Sequence, residues 1–242
     1  MSAKLAESSG YSPPTIWLAS IETLKLRNEK RRTLGMLLSA RERERWQAFR
    51  FSQHRDLYLI AHCLKRLVLT RYELCVEPAA WNFTQNEFGK PFLISQQNPS
   101  GLCFNLSHSG TMAAICVTHG QRCGVDVEQR RADVDHLDLA RRCFHPREYA
   151  DVERENASTF FRYWVLKEAF MKLLGIGLLL RLDSFYIDRR KGAIVGHPNG
   201  VRTQLANWDL PSNHFLAVGV EGAKVEWPPN IAWLPELSAA QS

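Results

Sequence analysis

Gly124-Val125-Asp126-Val127-Glu128 and Trp164-Val165-Leu166-Lys167-Glu168-Ala169-Phe170-Met171-Lys172 are the two stretches on which the reading of this chain turns. In the first, alternation predicts a strand with Asp126 and Glu128 on one face and Val125 and Val127 on the other. In the second, Glu168 and Lys172 lie four apart, which on a helix stacks them on one ridge a turn beyond Trp164. Phe160, Phe161, Val165, Leu166, Ala169, Phe170, Leu173 and Leu174 surround that ridge, so the helix is apolar over most of its circumference and is expected to be buried. Each motif also has an ordinary use. A D-x-E pair can face solvent, and an i,i+4 Glu-Lys pair can be a surface ion pair contributing about 0.2–0.5 kcal/mol. Three carboxylates and a lysine in apolar surroundings, however, need a partner, because unpaired buried charge is costly. A hard divalent cation, Mg2+ above others, satisfies convergent carboxylates and takes up phosphate oxygens as well.

The 242 residues suit one large or two small domains, and with 45% hydrophobic and 23% charged residues the composition is that of an ordinary folded protein. Nothing approaches eighteen consecutive apolar residues, so no membrane span is expected. Residues 1–14 carry one lysine and several serines without an apolar run, and read as a loose lead-in rather than a secretory signal. Six cysteines show neither a C-x-x-C pair nor zinc-finger spacing; they read as small buried hydrophobes of a reducing, cytoplasmic protein. The net charge of +6 is concentrated between Lys25 and Arg55. Such a surface could attract nucleic acid, an anionic membrane, an acidic protein or a phosphorylated small molecule.

Along the chain, Thr15–Ala19 reads as a strand. Ser39 reads as the N-cap of a helix with Glu42 at the capping-box position, and Gln53–Tyr72 as a long helix whose charges form a solvated outer face. Trp81–Thr84 reads as a strand before Gly89-Lys90-Pro91, where Pro91 fixes the backbone after the lysine. Two apolar runs, Leu102–Leu106 and Met112–Thr118, read as a β-hairpin with Ser107-His108-Ser109-Gly110 as its turn. Adjacent Ser107 and His108 point different ways, and no G-x-S-x-G elbow is present, so a covalent nucleophile is not indicated. His119–Arg122 is the expected boundary between two halves. Leu137–Phe144 and a segment opening at Pro146 read as short helices, the latter with Glu148 near its positive end. Gly175-Ile176-Gly177 stops the main helix, Leu182–Ile187 and Ala193–Val195 read as strands, and the proline-rich stretch from Trp227 reads as a tail.

Gly89-Lys90-Pro91, Asn105-Leu106-Ser107-His108-Ser109, Gly124-Val125-Asp126-Val127-Glu128 and Trp164-x-x-Lys167-Glu168-Ala169-x-x-Lys172 occur in that order without a substitution. With them the chain, from about Leu38 to about Val220, resembles the 4'-phosphopantetheinyl transferases of the surfactin-synthetase-activating (Sfp) type. The resemblance implies an α+β fold, a pseudo-dimer of two similar α+β lobes with the active site between them: lobes of 15–120 and 121–225, preceded by the lead-in and followed by a tail of 226–242. It implies transfer of 4'-phosphopantetheine from coenzyme A to a serine of an apo acyl, peptidyl or aryl carrier protein, with Mg2+ as cofactor, adenosine 3',5'-bisphosphate as co-product and a monomer as the working form. Asp126, Glu128 and Glu168 are then the metal ligands. Arg55, Lys90, Pro91, Ser107, His108, Lys167 and Lys172 are the coenzyme-binding residues, with Arg45 a further candidate. Lys172 would hold the α-phosphate and protonate the leaving group, and Glu168, Glu148 or a metal-bound water would take the serine proton. The basic surface then meets an acidic carrier protein, and neither nucleic acid nor a membrane is an expected partner. The same three carboxylates would also suit a Mg2+-dependent phosphodiesterase or nuclease, which would leave Gly-Lys-Pro and Ser-His-Ser unexplained. A non-catalytic binding module would not need three carboxylates facing a polyanion.

Overall fold

Strand β1 (Thr15–Ser20) leads through a single turn, α1 (Ile21–Leu24), to the short helices α2 (Asn28–Met36) and α3 (Ala40–Ala48) and the long helix α4 (Ser52–Tyr72). A small hairpin, β2 (Phe83–Gln85) with β3 (Pro91–Leu93), and a large one, β4 (Leu102–Ser109) with β5 (Met112–His119), complete the first lobe. The second lobe repeats that order. Strand β6 (Cys123–Gln129) precedes α5 (His136–Cys143), α6 (Pro146–Arg154) and the long α7 (Ala157–Leu174). A small hairpin, β7 (Tyr186–Asp188) with β8 (Ala193–Val195), and a large one, β9 (Thr203–Leu210) with β10 (His214–Glu221), follow. The computed structural model describes residues 13–196, 201–222 and 230–233; most of the lead-in, and the tail apart from 230–233, lie outside them.

The sheets carry the same signature. In the first the order is β1-β5-β4 and in the second β6-β10-β9, so each lobe places its opening strand beside its last, with the penultimate strand outside. The expected two-lobed α+β architecture is therefore present in the strand order itself. One addition breaks the symmetry: β11 (Asn230–Trp233) returns to pair in parallel with β1 of the first lobe. These four residues, read in sequence as part of a tail, are a sheet strand.

Three apolar cores follow. One lies under α4 against β4 and β5, one surrounds α7 with α5 and α6, and the third fills the space between the two sheets with Ile16, Leu18, Ala114, Val125, Val127, Leu216 and Val218. The alternation of β6 explains its place. Val125 and Val127 enter the inter-sheet core, which leaves Asp126 and Glu128 on the α7 side. Helix α7 can lie close across that strand because of Gly124, where a Cβ would stand 2.0 Å from the Ala169 carbonyl oxygen. Asn156 caps the N-terminus of α7, and Gly175, left-handed at φ 68°, ends it.

Two local expectations differ. Ser107, His108 and Ser109 are not the hairpin turn: β4 runs through them, with His108 opposite Ala113, and Gly110-Thr111 makes the turn. Leu182–Ser184 is a 3-10 turn, and the strand starts at Tyr186, because Lys167 claims the carbonyls of Leu182 and Phe185.

Candidate active site

Asp126 and Glu128 of β6, Glu168 and Lys172 of α7, and Ser107 and Ser109 of β4 gather where the three elements meet. Lys172 Nζ donates to Asp126 Oδ1 and, at 2.8 Å, to Ser107 Oγ. Ser107 Oγ donates to the same Asp126 oxygen at 2.9 Å, and Ser109 Oγ to Glu128 Oε2 at 2.6 Å. Burial, reinforced by the Asp126 charge, raises both Glu128 and Glu168 above the usual carboxylate range. The carboxylate of Glu168 makes no hydrogen bond among the described residues, and Asp126 Oδ2 is buried without a partner.

The cluster's fit to a cation can be read from these groups. Among the described residues no three His, Cys, Asp or Glu side chains stand close enough together to hold a metal ion. Lys172 engages Asp126 Oδ1 and Ser109 engages Glu128 Oε2, so the three carboxylates share a neighbourhood with one oxygen of each of these two already held. The donor set is nonetheless all hard oxygen, one oxygen is orphaned, and two acids are raised partly by the charge of the third. Those properties suit a hard divalent cation such as Mg2+.

Two cavities meet at Lys172. One, of about 800 Å3, lies against the first lobe and is lined by Arg41, Arg45, His62, Lys65, Arg66 and His108. The other, of about 320 Å3, is lined by Phe88, Pro91, Leu106, Met171 and Glu168. A cationic cleft thus opens onto a narrower, mostly apolar groove, with Lys172 at the join and Glu168 on the groove side.

The wall of the cationic cleft is built on a residue whose second role its cap position conceals. Glu42 forms the expected capping box with Ser39. Its carboxylate also accepts from His62 Nδ1 at 2.8 Å, Lys65 Nζ at 3.0 Å, and Arg66 Nε and Nη2 at 2.9 and 2.7 Å. Burial alone would raise this carboxyl; the His62 hydrogen bond and the Lys65 charge overcome it and hold Glu42 far below the usual range. Lys65 and Arg66 are only 4% and 1% exposed, which corrects the reading of the α4 charges as a solvated face. The signal was present in the spacing: Arg55, Tyr58, His62 and Lys65 form a polar ridge at i, i+3, i+7 and i+10 on an otherwise apolar helix.

Other expected site residues fall in different places. His108 is exposed on the cleft wall. Arg45 lines the cleft and lies over the Tyr58 ring, whereas Arg55, half-buried a turn earlier on α4, is not among the lining residues. Pro91 borders both cavities, and Lys90 borders the apolar one. The Lys90 ammonium, however, is engaged, donating to the carbonyls of Cys123 and Leu173 at 3.0 and 3.1 Å. Glu148 and Lys167 do not reach the cluster. They form a buried pair at 2.8 Å inside the second lobe, 1% and 0% exposed, in which Glu148 accepts from the backbone of His145 and Ile187 and Lys167 donates to Leu182 and Phe185. The reading of Glu148 as the base, and of Lys167 as a coenzyme contact, is corrected by that geometry: neither side chain is open to a substrate.

Comparison with known proteins identifies relatives of the chain. Residues 122–217 match the family model of the 4'-phosphopantetheinyl transferase superfamily, and residues 27–119 match that of the 4'-phosphopantetheinyl transferase N-terminal region. The chain is 35% identical over 176 residues to the 4'-phosphopantetheinyl transferase HetI of Nostoc sp., covering 69% of this chain and 74% of that protein. It is 32% identical over 193 residues to a 4'-phosphopantetheinyl transferase of Bacillus subtilis, covering 75% and 81%. It is 31% identical over 167 residues to 4'-phosphopantetheinyl transferase Sfp of Bacillus subtilis (strain 168), covering 67% and 71%.

Proposed function

This chain belongs to the 4'-phosphopantetheinyl transferase superfamily and is a transferase of phosphopantetheine to carrier proteins, and on that basis we propose that coenzyme A is the donor, Mg2+ the cofactor and adenosine 3',5'-bisphosphate the co-product. The observation that supports the reading is the position of Lys172, which holds Asp126 and lines both a cationic cleft and an apolar groove, with Glu168 on the groove side. Coenzyme A has the matching polarity. Its phosphorylated nucleotide suits the wall of Arg41, Arg45, His62 and His108, its slender pantetheine arm suits the groove beside Phe88 and Met171, and its pyrophosphate lies between them.

In the reaction the acceptor serine Oγ forms a bond to the phosphorus that bears the pantetheine arm, and the bond from that phosphorus to the bridging oxygen breaks. Charge builds on the bridging oxygen. Lys172, with two of its three donors engaged by Ser107 and Asp126, is held where its remaining N–H can meet that oxygen. Glu168, unpaired and raised by burial, is the carboxylate suited to take the serine proton. Asp126, Glu128 and Glu168 are the residues that would hold Mg2+, which neutralises pyrophosphate charge when bound. No described helix is long and apolar enough to cross a membrane, and the +6 chain suits an acidic protein partner.

Chromatography of adenosine 3',5'-bisphosphate tests the proposal. Release that requires coenzyme A, an apo carrier protein and Mg2+ together supports it. Release without carrier would mark a hydrolase, and release undiminished by a chelator would remove the metal.

A further inference from the structure

Asn105, Ser107 and Ser109 alternate along β4, and their side chains meet three backbone N–H groups that alternate along β6. Val125 N donates to Asn105 Oδ1 at 2.9 Å, Val127 N to Ser107 Oγ at 3.3 Å, and Gln129 N to Ser109 Oγ at 3.2 Å. Each rung spans 20 residues of sequence, so the register is constant. Strand β6 has β10 as its backbone partner in the second sheet, and β4 has β5 in the first. Side chains therefore satisfy donors that the open edge of β6 would otherwise present to the seam between lobes. The intervening Leu106 and His108 alternate to the other face of β4, and the cationic cleft is lined by both and by Ser107 at its inner end.

Two rungs continue into the carboxylate cluster. Ser107 Oγ gives its proton to Asp126 Oδ1 and accepts from Val127 N and Lys172 Nζ. A hydroxyl has one proton and two lone pairs, so the capacity of Ser107 is filled. Ser109 Oγ gives its proton to Glu128 Oε2 while accepting from Gln129 N. The hydroxyls that set the register of β6 against β4 are thus the ones that orient the two acids of β6.

We propose that Ser107 and Ser109 are positioning residues, which register the seam and aim Asp126 and Glu128 for a divalent cation. The assignment rests on reading the carboxylates as a cation site. It explains the order Asn-x-Ser-x-Ser: the first rung carries no acid and needs only an acceptor, whereas the next two need both an acceptor and a proton to give.

Isothermal titration with Mn2+ as the probe, in the absence of coenzyme, tests the ladder independently of turnover. Ser107→Ala and Ser109→Ala should each lower Mn2+ affinity by about 10–100-fold, the usual loss for a partner that orients a metal ligand. Asn105→Ala loosens the same seam without touching an acid, and should lower the melting temperature while holding Mn2+ affinity within about threefold; Ser109→Thr, which keeps the hydroxyl, should hold it as well. In turnover, kcat should fall in the two alanine variants with KM for coenzyme A nearly unchanged. Wild-type Mn2+ affinity in Ser107→Ala and Ser109→Ala, a raised coenzyme KM at constant kcat, or no Mn2+ binding by the wild type would each overturn the assignment. Should Ser107→Ala fail to fold, Ser109→Ala at its half-buried position carries the test. If the wild type binds Mn2+ yet transfers nothing, the proposed reaction fails while the titration still decides the ladder.

Discussion

Lys90 Nζ lies 3.1 Å from the carbonyl oxygen of Leu173, so a turn of the first lobe closes the C-terminus of the main helix of the second. Asn86 reinforces the contact by donating to the Gly175 carbonyl at 2.7 Å. The last carbonyls of α7 have no partner within the helix, and a cation there also faces the negative end of its dipole. Lys90→Met leaves two buried carbonyls without that donor and should cost about 1–3 kcal/mol in denaturant unfolding. KM for coenzyme A should stay within about threefold. Unchanged stability with a tenfold rise in KM would instead make Lys90 a phosphate contact.

Acid should weaken the fold through His62. Burial, aided by the Lys65 charge and opposed by Glu42, pushes this imidazole down to about 4 from its ordinary 6.5. The groups facing it are Glu42, Lys65, Tyr58 and His108. As pH falls from about 6.5 toward 4, the unfolded chain takes up a proton that the folded ring refuses. Stability therefore drops through that window, by up to about 1.4 kcal/mol per pH unit. His62→Gln keeps a donor for Glu42 and should flatten the slope between pH 6.5 and 4. His108, lowered by burial and by Lys172, contributes in the same direction, so part of the slope remains. An unaltered pH profile of unfolding midpoints in His62→Gln would refute this account.

Glu148→Gln separates a structural acid from a base. The amide keeps one accepting oxygen, enough for Ile187 N or His145 N but not both, and it leaves the Lys167 ammonium buried without its counter-charge. Burial pushes the two groups toward their neutral forms, Glu148 up and Lys167 down, and each resists through the other's charge. Removing one partner should therefore destabilise the second lobe by about 3–5 kcal/mol. Turnover at a temperature where the variant is folded should remain within about fivefold of wild type. Loss of turnover at full stability would restore the role of base to Glu148.

The elements legible in the sequence are those whose pattern is local. Alternation in Gly124–Glu128 placed two valines in the inter-sheet core and two acids on the α7 side, and the spacing in Trp164–Lys172 put Glu168 and Lys172 on one ridge. Ser39 and Glu42 marked a helix start because a capping box is a contact between residues three apart. What sequence could not show was what else those side chains reach. The same Glu42 closes on three side chains 20, 23 and 24 positions away, and Lys167, one residue from Glu168, turns through about 100° of helix into a buried pair. Ser107 looked like turn chemistry because Ser, His, Ser and Gly run together there; its strand partner is Ala114 of β5, beyond the true turn, and the β6 N–H that its hydroxyl meets comes 20 positions later. Strand β11 was hidden for another reason. Its four residues are a sheet edge only because β1 offers a parallel partner more than 200 positions earlier.

The most direct measurement is the intact mass of an apo acyl carrier protein after incubation with this protein, coenzyme A and Mg2+, beside a Glu168→Ala variant. The account predicts a gain of one phosphopantetheine with the wild type and, at equal time, at least a hundredfold less with Glu168→Ala. A gain of the same size and rate with both would remove Glu168 from the chemistry. No gain with the wild type, on carriers that a known transferase modifies in parallel, would contradict the central claim.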